Sequence, residues 1–333
     1  MPNYASWPMN VCQIGKEVTP GTAVAGTTIW RGPFGGFDDD RTSETIEENT
    51  GTYADTGRTV DTQLGVKLSA PQGTAHYEQL LYLAEASIAK GVTPTGTPPT
   101  YIRTYDVAVS DTAPSLQTYT FRVGNKIVAG DASIFAYTML QEWELSGNQG
   151  ELWKTSSTWM APRRQTTTFT AALAIPAWEP MNFSNSKLFI EAAGATPGTT
   201  QKSGVLMGFS LKFNTGLEWV PAGDGTLYPS AVKIGKPKAT FTLTLEVEDG
   251  GVVAAERAIY ESKAQRVIRI QCPGSSPRDM VLDLFGAQYT KVGPYTKLNQ
   301  NNTVVTFEGN AIYEPTAAKT LALAVTTDLA TIT

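Results

Sequence analysis

The chain offers few side chains able to do covalent chemistry. It has one histidine, His76, and two cysteines, Cys12 and Cys272, which lie far apart and outside any metal-ligand spacing. With a single histidine, most zinc sites and all but the simplest His-based triads are excluded, so carboxylates are the acid–base groups left for an enzyme. The carboxylates fall into two kinds. Glu142, Glu144, Glu246, Glu248 and Glu308 sit in stretches where polar and apolar residues alternate. Asp38, Asp39, Asp40, Glu44, Glu47, Glu48, Asp55 and Asp61 cluster instead, opposed only by Arg41 and Arg58. The Asp triplet has the charge for calcium but lacks the spaced ligands and fixed glycine of a calcium loop. A solvated acidic loop over 36–59 is the expectation. No catalytic residue, metal or cofactor is nominated, and the two cysteines are read as reduced core thiols.

The elements that must carry these groups show the period of strands. Val205, Met207, Phe209, Leu211 and Phe213 alternate with Ser210, Lys212 and Asn214. Phe241, Leu243, Leu245 and Val247 alternate with Thr240, Thr242, Thr244, Glu246 and Glu248. Each run predicts a strand with one buried and one wet face, and the two predict an antiparallel pair. An amphipathic helix follows over 252–264, with Val252, Ala255, Ile259 and Ser262 on one side. A wet face of hydroxyls and carboxylates suits a water-filled lumen or an outer surface.

Composition bounds the reading further. The 333 residues are 41% apolar and 17% charged, enough for two ordinary domains. Twenty prolines and thirty glycines, scattered along the chain, favour a mainly β or α+β fold over long helices. A net charge of −5 and no basic patch argue against a surface that grips nucleic acid through its phosphates. They are compatible with a surface that DNA slides past. The N-terminal residues show no secretory signal, and no apolar run reaches the ~20 residues needed to cross a bilayer. A cytoplasmic start and no membrane partner are therefore expected.

In order, residues 1–13 predict an arm, 14–25 a short strand and a Pro-Gly turn, and 28–30 an extended segment. Val60–Ser69 predicts one strand that turns at Pro71-Gln72-Gly73. Residues 76–89 carry Tyr77, Leu80, Leu81, Ala84 and Ile88 at helical spacing, with His76 as an exposed or capping residue at its start. Strand 119–123 and a hairpin over 137–161, turning at Gly147-Asn148-Gln149-Gly150, complete a first half. Residues 162–180 predict a link. The second half reads as strands 187–192 and 205–214, a loop over 218–237, strand 240–248, helix 252–264, strand 266–272, a closing hairpin over 280–313, and a Thr/Ala-rich tail. Both halves run strand, helix, closing hairpin, which suggests an internal duplication with domains at 1–165 and 166–333.

Three stretches carry a family resemblance. Ile14-Gly15-Lys16-Glu17-Val18-Thr19-Pro20-Gly21-Thr22-Ala23-Val24-Ala25, Leu145-Ser146-Gly147-Asn148-Gln149-Gly150-Glu151-Leu152, and Gly204-Val205-Leu206-Met207-Gly208-Phe209-Ser210-Leu211 with Asn214-Thr215-Gly216-Leu217 resemble the long form of the tail tube protein of long-tailed bacteriophages. The resemblance implies two tandem β-sandwich or half-barrel domains, each with one flanking helix. It implies self-assembly into stacked rings, trimeric with pseudo-sixfold symmetry when two domains share a chain, that form a hollow tube in the virion tail. It implies as partners the chain itself, tape measure protein, tail tip and terminator proteins, and DNA in transit without specific binding. On this reading Glu142, Glu144, Lys212, Thr242, Thr244, Glu246, Glu248 and Glu308 face the lumen. Asp38, Asp39, Asp40, Arg41, Glu44, Glu47, Glu48, Asp224 and Tyr228 stack rings, and the 36–59 loop orders when they do. Two other readings stay open: a carbohydrate-binding or other virion surface module, which an aromatic row including Trp143 and Trp153 would favour, and a glycoside hydrolase using paired carboxylates.

Overall fold

The computed structural model describes residues 6–53, 57–128, 130–249, 251–297 and 302–333. Asp55 and the first five residues of the expected arm lie outside them. The first half holds β1 (Asn10–Lys16), β2 (Thr28–Ile29), β3 (Gly36–Asp39), β4 (Thr42–Ile46), β5 (Arg58–Gln63), β6 (Val66–Thr74), helix α1 (Tyr77–Ser87), β7 (Tyr101–Ala108), β8 (Tyr119–Asn125), β9 (Ser133–Asn148), β10 (Lys154–Ala161) and β11 (Gln165–Thr166). The second holds β12 (Lys187–Ala192), β13 (Gln201–Lys202), β14 (Leu206–Asn214), β15 (Leu217–Val220), β16 (Ala231–Ile234), β17 (Lys238–Glu246), helix α2 (Val252–Ser262), β18 (Arg266–Pro273), β19 (Asp279–Val292), β20 (Thr296–Lys297), β21 (Thr303–Ile312) and β22 (Lys319–Thr327). The fold is mainly β, as the composition and alternation lead one to expect.

One ladder order occurs twice. In the first half the antiparallel neighbours run β3–β6–β10–β9–β8–β1. In the second they run β14–β17–β21–β19–β18–β12. The irregularities recur as well. A register shift separates the partners of Leu140 and Glu142 on β9, and another separates those of Tyr289 and Lys291 on β19. A second shift falls between Phe135 and Thr138 on β9 and between Leu284 and Ala287 on β19. Such bulges bend a strand and raise its twist, so β9 and β19 can each run from one sheet layer into the next. Among the described residues two strand pairings join the halves, β9 with β14 and β7 with β22, and single bridges His76–Pro180 and Leu152–Asn182 add to them.

Burial follows the alternation. Phe209, Leu211, Phe213, Phe241, Leu243 and Leu245 are all buried, and they meet Trp143, Trp159, Leu68 and Phe307 in one continuous core. Transfer of each such side chain from water contributes about 1.5–3 kcal/mol before entropy is counted. Trp143 packs tilted against Phe213, with ring centroids 6.0 Å apart, and donates its Nε1–H to Ser87 Oγ at 3.1 Å. Helix α1 is buried on all sides, since β9, β22 and β7 surround it. Its two carboxylates survive burial by pairing: Glu85 with Lys16 at 2.7 Å, and Glu78 with Arg278. Cys12 and Cys272 are free and buried.

Several expectations from the sequence are corrected. Residues 36–59 are no structureless loop: they contain β3, β4 and the start of β5, and the β4–β5 ribbon is held by Ser43–Asp61 at 2.7 Å, Thr45–Thr59 at 3.3 Å and Arg41–Asp61 at 3.2 Å. A ribbon wet on both faces has no apolar period for pattern reading to find. Residues 218–237 likewise form most of the β15–β16 hairpin. The expected strand 60–69 is broken at Leu64-Gly65 into β5 and β6, and β6 runs through Pro71-Gln72-Gly73 instead of turning there. The ladder partners jump from Ala70 to Gly73 opposite Ser157 and Thr155, a bulge where a proline costs no ladder bond. His76 is the N-cap residue of α1 but is buried, with Nδ1 3.3 Å from Gln79 Oε1. On α2 the buried residues are Val253 and Glu256, one step round from the Val252, Ala255, Ile259, Ser262 face; Glu256 is held there by Arg266 and Tyr289. Val247 is exposed, just past the end of β17. The Thr/Ala-rich tail contains β22, which fills the gap between β19 and β7. The link over 162–180 contributes β11 and a buried Trp178.

Candidate assembly surface

The register of β3, β6, β10, β9, β14, β17, β21 and β19 aligns polar residues in lines across one sheet face. Ser146, Ser210, Thr242, Glu308 and Lys291 form one line. Ser156, Glu144, Lys212, Thr240, Asn310 and Gln288 form the next. A third holds Asn148, Gly208, Thr244 and Thr306, the last two bonded hydroxyl to hydroxyl at 3.1 Å. Between these lines stand Leu145, Leu211, Phe241, Gly309 and Tyr289, which face the core because side chains alternate across a pleated sheet. Gly309 is required there: a Cβ would come within 2.5 Å of both the Phe241 ring and the Gln288 carbonyl.

The structure therefore brings Glu142, Glu144, Lys212, Thr242, Thr244 and Glu308 onto one face. Glu246 stands at the end of β17, paired with Val304, and Glu248 lies beyond the strand, off the ladder. The face is charge-balanced rather than acidic. Lys212 meets Glu142 at 2.8 Å, Lys291 meets Glu308 at 2.7 Å, Lys154 meets Glu151 at 2.7 Å, and Lys67 meets Asp40 at 3.4 Å. Lys154 holds the Glu151 carboxyl below the usual carboxylate range, first through their hydrogen bond. Lysines already bound to carboxylates are poor partners for phosphate, because gripping DNA needs cations free to replace its counterions.

The expected stacking residues lie in or just before two hairpins at corresponding places in the two ladders. Asp38 and Asp39 are the exposed end of β3, Glu44 is in β4, and Glu47 and Glu48 lie in the β4–β5 connection, where Glu48 meets Arg58 at 3.5 Å. Asp224 and Tyr228 belong to the β15–β16 connection. Asp224 is held below the ordinary carboxylate range by the Ser230 hydroxyl and the Thr226 N–H. The two hairpins touch, for Leu64 N–H donates to Leu227 O at 3.0 Å. The second also leans on the first half through an apolar cluster of Leu217, Met139 and Met160, with Trp219 edge-on to Tyr137.

One feature escaped pattern reading. Lys212, Lys233, Lys236 and Lys238 line an open cleft with Glu142 and Glu218 at the foot of the β15–β16 hairpin. Their spacing in sequence is irregular, and only the hairpin fold assembles them. The aromatic row that a sugar-binding face would require is absent at the positions expected for it, since Trp143 and Trp153 are buried. Among the described residues no group of His, Cys, Asp and Glu could hold a metal ion, and no helix is long and apolar enough to cross a membrane.

No curated protein matches the chain. The family model for the phage tail tube protein matches residues 10–265, from β1 past the end of α2 and through both hairpins. A match over more than half of the sequence, on a β-rich fold with repeated ladders, assigns the chain to the phage tail tube protein family, a structural family of the virion tail.

Proposed function

We propose that this chain is a two-domain tube subunit, with domains at 1–165 and 166–333, and that three chains close into a ring of six similar sectors. Stacked rings then form the hollow tail tube through which DNA leaves the virion. The observation that carries this reading is the β9–β14 pairing. It adds the second ladder to the first as a further run of strands in the same sheet, edge to edge. Repeating that step with new chains is a head-to-tail association, which closes into a ring when the rotation allows. Closure also removes the open strand edges that would otherwise template aggregation.

Each chain contributes eight strands to the polar-faced sheet. Closed barrels of about 16–18 strands already leave an aqueous channel, so a sheet closed from three chains leaves a wide one. Hydroxyls and the carboxylate-bound lysines Lys212, Lys291, Lys154 and Lys67 would then face the lumen, leaving the Lys233, Lys236 and Lys238 cleft as the one lysine cluster beside it among the described residues. The β4–β5 and β15–β16 hairpins are the ring-stacking elements. Tape measure protein inside the tube, and tail tip and terminator proteins at its ends, are the further partners of such a subunit, which assembles in the host cytoplasm.

Electron microscopy of concentrated purified protein, beside sedimentation of dilute samples, tests the reading. Hollow rods or stacked rings with threefold end-on averages are expected. A species that stays monomeric at every concentration, even when mixed with preformed tail tips, refutes it.

A further inference from the structure

The repeated ladders allow the seam inside the chain to be transferred, residue by residue, to the two edges left open. Within the chain, β14 lies against β9 with Lys212 opposite Glu144, Phe213 opposite Trp143 and Asn214 opposite Glu142. In the first half, β3 takes the place of β14. Asp38 pairs with Lys67 as Lys212 does with Thr240, and Asp39 with Val66 as Phe213 does with Ala239. In the second half, β19 takes the place of β9, and the shared bulge sets the correspondence: Leu140 and Glu142 flank it on β9, Tyr289 and Lys291 on β19. No strand among the described residues pairs with the outer edge of β3, or with β19 beyond Ala287 on the side away from β21, where β18 ends with Arg266 opposite Ala287.

Resting on the ring reading above, we propose that β3 of one chain pairs with β19 of the next in this transferred register, Asp38 opposite Gly293, Asp39 opposite Val292 and Asp40 opposite Lys291. The occupant of each open edge is a second copy of this chain, and the Lys212–Glu142 pair of the internal seam is replaced by an Asp38–Lys291 pair of reversed polarity.

The exchange is the main support. At the internal seam Lys212 reaches Glu142 at 2.8 Å, and Asn214 Nδ2–H donates to Glu142 Oε2 at 3.5 Å. At the transferred positions Lys212 becomes Asp38, Asn214 becomes Asp40, Glu142 becomes Lys291 and Glu144 becomes Gly293. Lys291, which meets Glu308 at 2.7 Å within the chain, thus also stands between two carboxylates of the neighbour, of which Asp40 meets Lys67 at 3.4 Å. Both members changed sign together, which keeps attraction at the closing seam. It also sets like charges together in wrong pairings: Asp38 against Glu142, or Lys212 against Lys291. The flanking contact changes in step. Three residues beyond Asn214 stands Leu217, packed on Met139 and Met160. Three residues beyond Asp40 stands Ser43, and the positions matching Met139 and Met160 are Gln288 and Asn310. An apolar contact inside the chain thus corresponds to a polar one between chains, as suits surfaces that must stay soluble before assembly. Pro294, which has no N–H to give, ends the ladder early and makes the closing seam shorter than the internal one.

Crosslinking and charge reversal test the seam. Directly opposed residues of an antiparallel pair have Cα atoms about 4.5–5.5 Å apart, within disulfide range. Asp39→Cys combined with Val292→Cys, oxidised under assembly conditions, is expected to give covalent dimers and trimers and nothing larger, while either single variant stays monomeric. Asp38→Lys or Lys291→Glu alone should raise the concentration needed for ring formation about tenfold, and the two together should restore it. Rings that form without the crosslink and ignore both reversals overturn the seam while leaving the tube reading in place. A crosslinked ladder running past the trimer supports the seam and overturns the three-chain ring. Absence of both rings and crosslinks at every concentration overturns both proposals.

Discussion

Replacing Arg278 with glutamine tests how the two halves are locked. The guanidinium lies in the turn between β18 and β19 and reaches across to α1 in the first half. Its Nε donates to Glu78, its Nη2 to Asp328 at 3.0 Å, and its Nη1 lies 3.8 Å from Glu179. Glu78 is 1% exposed and Arg278 15%, so the pair is largely removed from water. Breaking a buried pair by deleting one partner costs about 3–5 kcal/mol, because the remaining charge is left without compensation. Here two features soften the loss. Glu78 also accepts the Glu179 N–H at 3.0 Å, and it sits in the first turn of α1, where the helix dipole favours an anion by about 0.3–1 kcal/mol. The expected cost of Arg278→Gln is therefore about 2–4 kcal/mol. Urea unfolding of dilute, unassembled protein, read by tryptophan fluorescence, measures it as a shift in midpoint at constant slope. Glu78→Gln in the same background should recover at least about 1 kcal/mol, since an amide no longer needs the guanidinium. A single variant within about 0.5 kcal/mol of the parent, or additive effects in the double variant, would refute the lock.

Two further outcomes are expected. Gly147→Ala places a Cβ 2.2 Å from the Phe183 ring and 2.9 Å from the Trp153 ring, both buried, so it should cost about 1–3 kcal/mol or more in thermal unfolding. Gly150→Ala, three residues on, meets no atom within 4 Å and pays only for its φ of +80°, about 1 kcal/mol; equal losses would contradict the packing. Burial lowers the His76 pKa, with Arg31 acting in the same direction and the Gln79 bond opposing it. The unfolded chain then takes up the proton first as pH falls below about 6.5, so stability declines from that pH down through the lower folded value and is unaffected above it. In His76→Gln the urea midpoint should change less between pH 7.5 and 5.5 than in the parent, and an equal change in both would show that other groups set the slope.

The strands with one wet and one dry face were legible because alternation is the physical signature of such a strand. Val205–Phe213 and Phe241–Leu245 identified themselves, as did helix 76–89, whose apolar spacing and length left no competing period. The β4–β5 ribbon was not legible, since both faces are wet and its cohesion comes from Ser, Thr and Asp pairs that leave no period. Strand β22 hid in a tail of small residues that looks like a frayed end until β7 and β19 are brought to either side of it. The lysine cleft was illegible for a related reason: Lys212 and Lys238 lie in different strands, and only their register makes them neighbours.

By itself the sequence determined the β-rich class, the wet and dry faces of the central strands, and the poverty of catalytic groups, because each of these is a local property of residue type and spacing. The tertiary structure alone decided which half pairs with which, where bulges recur, which lysine neutralises which glutamate, and which two edges stay open. Those facts depend on register between segments distant in sequence, and a ladder's register is set by the packing of the whole sheet rather than by any one strand.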